Sequence, residues 1–147
     1  MSYRRFAGVV LVVLLIDQVS KLLAVHYLYP YQVVKLLDSL LRLTLVYNTQ
    51  GVFGISFGGG VTYYILPLIG IALVVYFAHK AKGGLYSLAF GMILGGAIGN
   101  LLDRLRMGKV VDFVDMGIGD LRWPTYNLAD ASIVIAVFLL FLAESKK

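Results

Sequence analysis

Four ionisable side chains lie within or at the ends of apolar stretches of the sequence: Asp17, Lys21, Asp103 and Asp130. An ionisable group at the centre of a spanning helix costs about 2.5–3.5 kcal/mol on insertion scales, so its placement is informative. Two carboxyls within hydrogen-bond reach cannot both ionise easily, and such a pair holds an acid and a base together. A pair of this kind can activate a water molecule and protonate the oxyanion formed when a peptide is hydrolysed.

The composition limits the classes of protein that these residues can belong to. The chain has 147 residues, of which 60% are hydrophobic and only 14% charged, whereas a soluble domain averages about 25% charged residues. The sequence has no cysteine and two histidines. The lack of cysteine excludes disulfides, thiolate zinc sites and cysteine nucleophiles, and no metal or cofactor is expected. The net charge of +5 does not indicate nucleic-acid binding, because the basic residues flank apolar runs.

Four apolar stretches approach the length of a membrane span, about 17–25 residues. The sequence therefore predicts an all-α integral membrane protein with four transmembrane helices in a single membrane-embedded domain, residues 1–147. The predicted spans are residues 6–23, 61–78, 85–102 and 128–143.

The orientation of the spans follows from the basic residues in the short segments, which favour the cytoplasmic side. These are Arg4, Arg5, His79, Lys80, Lys82, Lys146 and Lys147. Both termini are then cytoplasmic, and the long loops at 24–60 and 103–127 are extracytoplasmic. The alternating pattern at residues 41–47 predicts a small β-containing region in the first of these loops.

This topology brings Asp103 and Asp130 to the same depth near the outer interface. Span three runs outward and ends at Asp103, while span four runs inward and begins near Asp130. The spaced glycines of span three, Gly91, Gly95 and Gly99, allow the helices to pack closely. Other polar residues are expected at the same level: Asn48, Asn100, Arg104 and Asn127.

Structural roles for the same residues remain open. Asp17 and Lys21 are four residues apart and can form an ion pair within one helix. Asp130 lies three residues after Asn127, as in a capping box. Asp103 could pair with Arg104 or Arg106, and the loop acids are expected to have solvated structural roles: Asp112, Asp115 and Asp120.

Other chemistries fit less well. Ser20 and Lys21 are neighbours on a helix and point about 100° apart, so they cannot share a proton. The sequence lacks a Gly-x-Ser-x-Gly elbow. A cation held by Asp103, Asp112, Asp115 and Asp130 is a weaker alternative. A small transporter or channel component and a non-catalytic membrane scaffold are the alternatives from other classes.

At these residues the sequence resembles the lipoprotein signal peptidase (signal peptidase II) family. Four segments carry the resemblance, in order along the chain. Residues 17–21 (DQVSK) match the family's Asp-x-x-x-Lys, and residues 95–104 (GGAIGNLLDR) match its Gly-Gly-x-x-Gly-Asn-x-x-Asp-Arg. Residues 111–113 (VDF) match its Val-Asp-Phe. Residues 124–130 (PTYNLAD) match its Pro-x-Phe-Asn-x-Ala-Asp, with Tyr126 in place of the usual phenylalanine.

One outer-loop segment departs from the family pattern. The family usually has Asn, one residue, Gly, two small residues and an aromatic residue. Here Gln50 occupies the glycine position and Gly51 follows it, while Asn48 and Phe53 still fit. The departure concerns the local backbone shape and not the reaction class.

The resemblance implies an aspartic endopeptidase with Asp103 and Asp130 as its catalytic dyad. It implies that Asn48, Asn100, Arg104 and Asn127 bind substrate or shape the site, and that Asp17 and Lys21 support the fold. The implied substrate is a bacterial prolipoprotein with a diacylglyceryl-modified cysteine, cut just before that cysteine. The expected setting is a monomer among membrane lipids in the bacterial inner membrane, with its active site near the extracytoplasmic face.

Overall fold

Long helices and short strands alternate in the computed structural model, which describes residues 2–50 and 60–145. Each predicted span lies within one helix. Phe53 and the terminal lysines Lys146 and Lys147 lie outside the described residues. In chain order the elements are α1 (Tyr3–Tyr27), β1 (Val34–Leu37), β2 (Leu41–Asn48), α2 (Gly60–Lys80), α3 (Gly84–Met107), β3 (Val110–Ile118), β4 (Leu121–Arg122) and α4 (Leu128–Glu144).

Helices α1, α2 and α3 are long and apolar enough to cross a membrane, with mean hydropathies of 2.1, 2.1 and 1.6 over their most apolar stretches. Helix α4 has 17 residues, which is roughly 25 Å at 1.5 Å per residue. Large apolar side chains on these helices point outward, among them Leu15, Leu73 and Phe138. An outer surface of this kind suits lipid.

Helix α3 is the central helix, and its glycines allow its neighbours to approach closely. A Cβ atom added at Gly95 would lie 2.9 Å from the carbonyl oxygen of Val10 and 2.9 Å from Cβ of Val13, both in α1. One added at Gly96 would lie 2.6 Å from the carbonyl oxygen of Ala129 in α4. The predicted packing role of the glycines is therefore confirmed.

The strands form one antiparallel sheet in the order β1-β2-β3-β4. Strand β2 confirms the predicted strand in the first long loop. Strands β3 and β4 come from the second long loop, where no strand was predicted. A bulge interrupts the alternation in β3, because the amides of Phe113 and Val114 both donate to the carbonyl oxygen of Tyr126. The fold is thus mostly helical with a four-stranded sheet.

The sheet packs on the C-terminal end of α1 through a small apolar core. Burial of these side chains fixes the position of β3 beside the start of α4, where the polar residues gather. The core residues are Ala24, Leu28, Leu45, Val111, Phe113 and Val114.

Candidate active site

A cavity of about 520 Å³ is lined by α2, α3, α4 and the β2 and β3 strands. Most of its wall is apolar, and the polar residues gather where the strands meet the helices. Among the described residues, Asp112 and Asp130 are the acids that line it. The apolar wall includes Leu66, Gly70, Val74, Ala97, Val134 and Phe138, and the other polar lining residues are Asn48, Asn100 and Arg104.

The start of α4 positions Asp130. Asn127 is the N-cap, and its Oδ1 accepts a hydrogen bond from the backbone N–H of Asp130 at 3.0 Å. The backbone N–H of Asn127 donates in return to Asp130 Oδ2 at 3.3 Å, which confirms the predicted capping box. Asp17 Oδ1 accepts from the backbone N–H of Ala129 at 3.1 Å. Helix α1 therefore holds the first turn of α4 in place.

The side chain of Asp112, in β3, contacts the same asparagine, Asn127. Its Oδ1 accepts from Nδ2 of Asn127 at 2.8 Å, so that Asn127 contacts the carboxyls of both Asp112 and Asp130. Only 3% of Asp112 is exposed. The expectation of a solvated structural role was therefore wrong for Asp112, because its loop segment is a central strand of the sheet. Asp115, three residues later, forms a partly exposed ion pair with Arg122 at 2.9 Å.

The protonation of Asp112 is shifted by its surroundings. Burial is the largest cause, and the negative charge of Asp130 adds to it; together they raise the pKa of Asp112 from 3.8 to about 7. Hydrogen bonds with Asn48 and Asn127 and the charge of Lys21 act in the opposite direction. Near neutral pH this carboxyl can therefore hold or release a proton.

Asp103 lies behind the cavity and does not line it. Its Oδ2 is 2.8 Å from Nζ of Lys21 and accepts from the backbone N–H of Val111 at 3.2 Å. Its Oδ1 accepts from Nε2 of Gln18 at 3.1 Å, and only 2% of the residue is exposed. Asp103, which was predicted to face Asp130, instead contacts Lys21 and Gln18 in α1 and Val111 in β3. The ion-pair partner of Asp103 is Lys21, whereas Arg104 and Arg106 were the predicted partners.

The rotation of α3 explains this difference. Asp103 continues the row Gly91, Gly95 and Gly99, which faces α1, because residues four apart share one face of a helix. Asn100 continues the row from Gly96, which faces α4. Topology predicts the end of α3 at which Asp103 lies, and the spacing of the glycines, which is visible in the sequence, indicates the face.

Lys21 and Asn100 connect the buried ion pairs to the cavity. Lys21 Nζ lies 2.9 Å from Asp17 Oδ2, which confirms the predicted ion pair within α1. The same Nζ donates to Asn100 Oδ1 at 3.0 Å. Asn100 Nδ2 in turn donates to Asp130 Oδ1 at 2.8 Å.

Arg104 and Asn48 complete the polar wall. The guanidinium of Arg104 lies over the ring of Tyr63, 4.7 Å from its centroid. Arg104 is buried, and its Nε has no hydrogen-bond partner within the described part of the chain. Asn48 ends β2, and its Oδ1 accepts from the backbone N–H of Gln50 at 2.8 Å. A local turn thus occupies the place where the sequence departs from the family pattern.

Two carboxyls that each contact Asn127 at the polar end of an apolar cavity can act as an acid and a base on a substrate bound there. Within residues 2–50 and 60–145, no group of three or more histidine, cysteine, aspartate or glutamate side chains is arranged to hold a metal ion. The polar wall is therefore organised around Asp112 and Asp130.

A family model and the named relatives of the chain agree on one family. Residues 9–145 match a family model described as signal peptidase (SPase) II. The chain is 38% identical over 142 residues to the lipoprotein signal peptidase of Halothermothrix orenii, covering 95% of each chain. It is 38% identical over 151 residues to that of Paraburkholderia phytofirmans, covering 99% of this chain and 87% of the relative. A bacterial membrane enzyme solved by the in meso method at 2.3 Å resolution superposes with a TM-score of 0.84 and 29% identity, over 96% of this chain and 87% of that one.

Proposed function

Because the chain belongs to the signal peptidase II family, we propose that Asp112 and Asp130 are the catalytic acids with which it cleaves its substrates. It is a multi-pass membrane protease that removes signal peptides from prolipoproteins. The transporter and scaffold alternatives are not favoured. The observation that carries the proposal is the contact of Asn127 with both acids at the polar end of the cavity. Asp112 thereby replaces Asp103 as the proposed partner of Asp130.

The two carboxyls have different roles in the proposed mechanism. We assign Asp130 the role of general base, because hydrogen bonds from Asn100 and from the backbone of Asn127 would stabilise a carboxylate there. Asp112, with a pKa of about 7, carries the proton. Asp130 removes a proton from a water molecule as its oxygen attacks the scissile carbonyl carbon, and Asp112 protonates the carbonyl oxygen. The tetrahedral intermediate collapses when the amine leaves with the proton from Asp130, and the proton on the former carbonyl oxygen returns to Asp112.

Arg104 and Asn48 are the proposed substrate-binding residues of the polar wall. The unpartnered Nε of Arg104 can donate to a carbonyl oxygen of the peptide near the cleaved bond, and a buried donor without a partner gains most from such a bond. Asn48, at the end of β2, can hold the backbone on the other side. Asp103, Asp17 and Lys21 support the positions of α1, α3 and α4.

The apolar part of the cavity supports the binding of a helical signal peptide. Leu66, Gly70 and Val74 are four residues apart on α2, and Val134 and Phe138 are four residues apart on α4. Helix faces with this period leave a groove that suits one further apolar helix. We place the diacylglyceryl chains of the substrate at the lipid-exposed margin of this groove, with cleavage just before the lipidated cysteine.

We also propose a topology for the chain. Four spans with both termini cytoplasmic place the sheet and both acids at the extracytoplasmic face of the bacterial inner membrane. Basic residues at the start of α1 and at the α2–α3 turn support this orientation. One domain acting as a monomer is sufficient, because a single chain supplies both acids and the groove.

A cleavage assay tests the proposal. Purified protein in lipid vesicles is incubated with a diacylglyceryl-modified precursor, and release of the signal peptide is followed. Wild-type protein is expected to shorten the precursor, and the Asp130→Asn variant is expected to leave it intact. A control reaction with a precursor that lacks the lipid shows how strongly signal-peptide release depends on the lipid. Full activity of folded Asp130→Asn protein would exclude the proposed acid pair.

A further inference from the structure

The ammonium of Lys21 is buried and has three acceptors. Two are carboxylates, Asp17 Oδ2 at 2.9 Å and Asp103 Oδ2 at 2.8 Å. The third is the neutral carbonyl oxygen of Asn100, at 3.0 Å. The two carboxylates already neutralise the ammonium, so the contact with Asn100 is not needed to balance its charge.

The contact instead helps to fix the orientation of the Asn100 side chain, together with a contact from Asn127. Asn100 Oδ1 accepts from Lys21 Nζ and also from Asn127 Nδ2, each at 3.0 Å. A carboxamide rotated by 180° would place its NH2 group against these two donors, and neither can accept a hydrogen bond. The observed orientation directs Nδ2 to Asp130 Oδ1 at 2.8 Å.

We propose that Lys21 is a positioning residue for the reaction: it holds the Asn100 carboxamide so that its N–H group stabilises the ionised form of Asp130, the general base. This inference rests on the proposed pair of acids. The arrangement makes the two acids unequal, because the donor that Lys21 orients reaches Asp130 and not Asp112. The charged groups around Asp130 are Lys21 and Asp17 from α1, Asp103 and Arg104 from α3, and Asp112 from β3.

Two variants separate this role from simple ion pairing. Asp103→Asn breaks the ion pair with Lys21 and leaves the contact between Lys21 and Asn100. The double variant Lys21→Met/Asp103→Asn also removes that contact, and it keeps the net charge of the wild-type cluster because one cation and one anion are lost together. The pH dependence of kcat/KM is measured for both with the lipidated precursor, and thermal midpoints are recorded to confirm folding.

The acidic limb of the pH profile, which reports the general base, is expected to keep its midpoint or move down in Asp103→Asn, because that variant removes only a negative charge. It is expected to move up by about one pH unit in the double variant, so that kcat/KM falls about tenfold at pH values below the limb. A purely structural role would lower the thermal midpoint and leave the limb in place. Superimposable limbs for the two variants, or an equal shift in both, would overturn the inference.

A measurement on the wild-type protein covers the case in which the double variant does not fold. With ¹⁵N-labelled asparagine, the side-chain NH2 resonances of Asn100, assigned by their loss in Asn100→Ser, should move with pH at the midpoint of the acidic limb. Resonances that do not respond at that midpoint would contradict the role of Asn100 and of Lys21. Full activity in Asp130→Asn would instead refute the proposed function, so the two failures are distinguishable.

Discussion

Asp103 Oδ2 lies 2.8 Å from Lys21 Nζ in a buried ion pair that fastens α3 to α1. This pair holds the carboxyl of Asp103 on the far side of α3 from the cavity. Removing one partner of a buried ion pair typically costs about 3–5 kcal/mol. The same lysine reaches the cavity through Asn100. The ion pairs and the proposed acid pair are therefore adjacent but separate parts of one polar network.

The first prediction concerns the alkaline side of the pH profile. Asp112 must be protonated to act as the general acid, and its pKa is about 7. We therefore expect kcat/KM to fall as the pH rises through about 7, with an apparent midpoint that belongs to the pair of acids. The Asp120→Asn variant, altered in the exposed turn between β3 and β4, should show the same limb. A rate that stays constant up to about pH 9 would contradict the assignment of the acid.

The second prediction concerns the stability of the Asp112→Asn variant. The folded-state pKa of Asp112 is raised from 3.8 to about 7, so the unfolded chain releases the proton first as the pH rises. The contribution of Asp112 to wild-type stability falls between about pH 4 and pH 7 and is then constant, with a total of up to about 4 kcal/mol. Thermal midpoints should therefore favour Asp112→Asn increasingly from about pH 4 to pH 7 and by a constant amount above about pH 7. A difference that does not vary with pH would show that Asp112 has an ordinary pKa.

The third prediction concerns the close contact between α1 and α3. A Cβ atom at Gly95 meets backbone and Cβ atoms of α1 at 2.9 Å, which cannot move aside easily. Gly95→Ala is expected to lower the free energy of unfolding by about 1–3 kcal/mol. Gly8→Ala, in open space on α1, is the matched control and should be neutral or stabilising by up to about 1 kcal/mol. Equal thermal midpoints for both variants would contradict the packing.

The fourth prediction concerns the groove. Gly70 lines the cavity, and a Cβ atom there meets nothing within 4 Å. Gly70→Phe should fill the space proposed for the signal peptide and raise KM by about tenfold, equivalent to about 1.4 kcal/mol of lost binding. Gly70→Ala should be close to wild type, and both variants should keep the pH limbs. An unchanged KM in Gly70→Phe would show that the signal peptide binds elsewhere.

Much of the fold could be predicted because it depends on local patterns. The positions of the helices follow from apolar runs, β2 follows from its alternation, and the capping box of Asn127 and Asp130 follows from their spacing. Strand β3 was missed because its bulge at Phe113 and Val114 breaks the alternation. The pairing of β3 with β2 and its contact with Tyr126 are long-range interactions that no local pattern encodes.

Only part of the candidate site could be predicted, because local patterns do not show which side chains meet in the folded chain. Topology predicts the end of the helix at which each acid lies, but the partner of Asp130 depends on which face of α3 carries Asp103. That face could have been inferred from the row of Gly91, Gly95 and Gly99. The burial of Asp112 could not, because it depends on where the sheet packs against the start of α4.

The most direct test of the central claim compares three variants in one cleavage assay with the lipidated precursor: Asp112→Asn, Asp103→Asn and Asp120→Asn. If Asp112 is the partner of Asp130, kcat for folded Asp112→Asn protein falls by roughly 10²–10⁴-fold. Asp103→Asn should then lose thermal stability but retain measurable turnover, and Asp120→Asn should match wild type. An active Asp112→Asn variant, together with an inactive Asp103→Asn variant of unchanged stability, would contradict the claim.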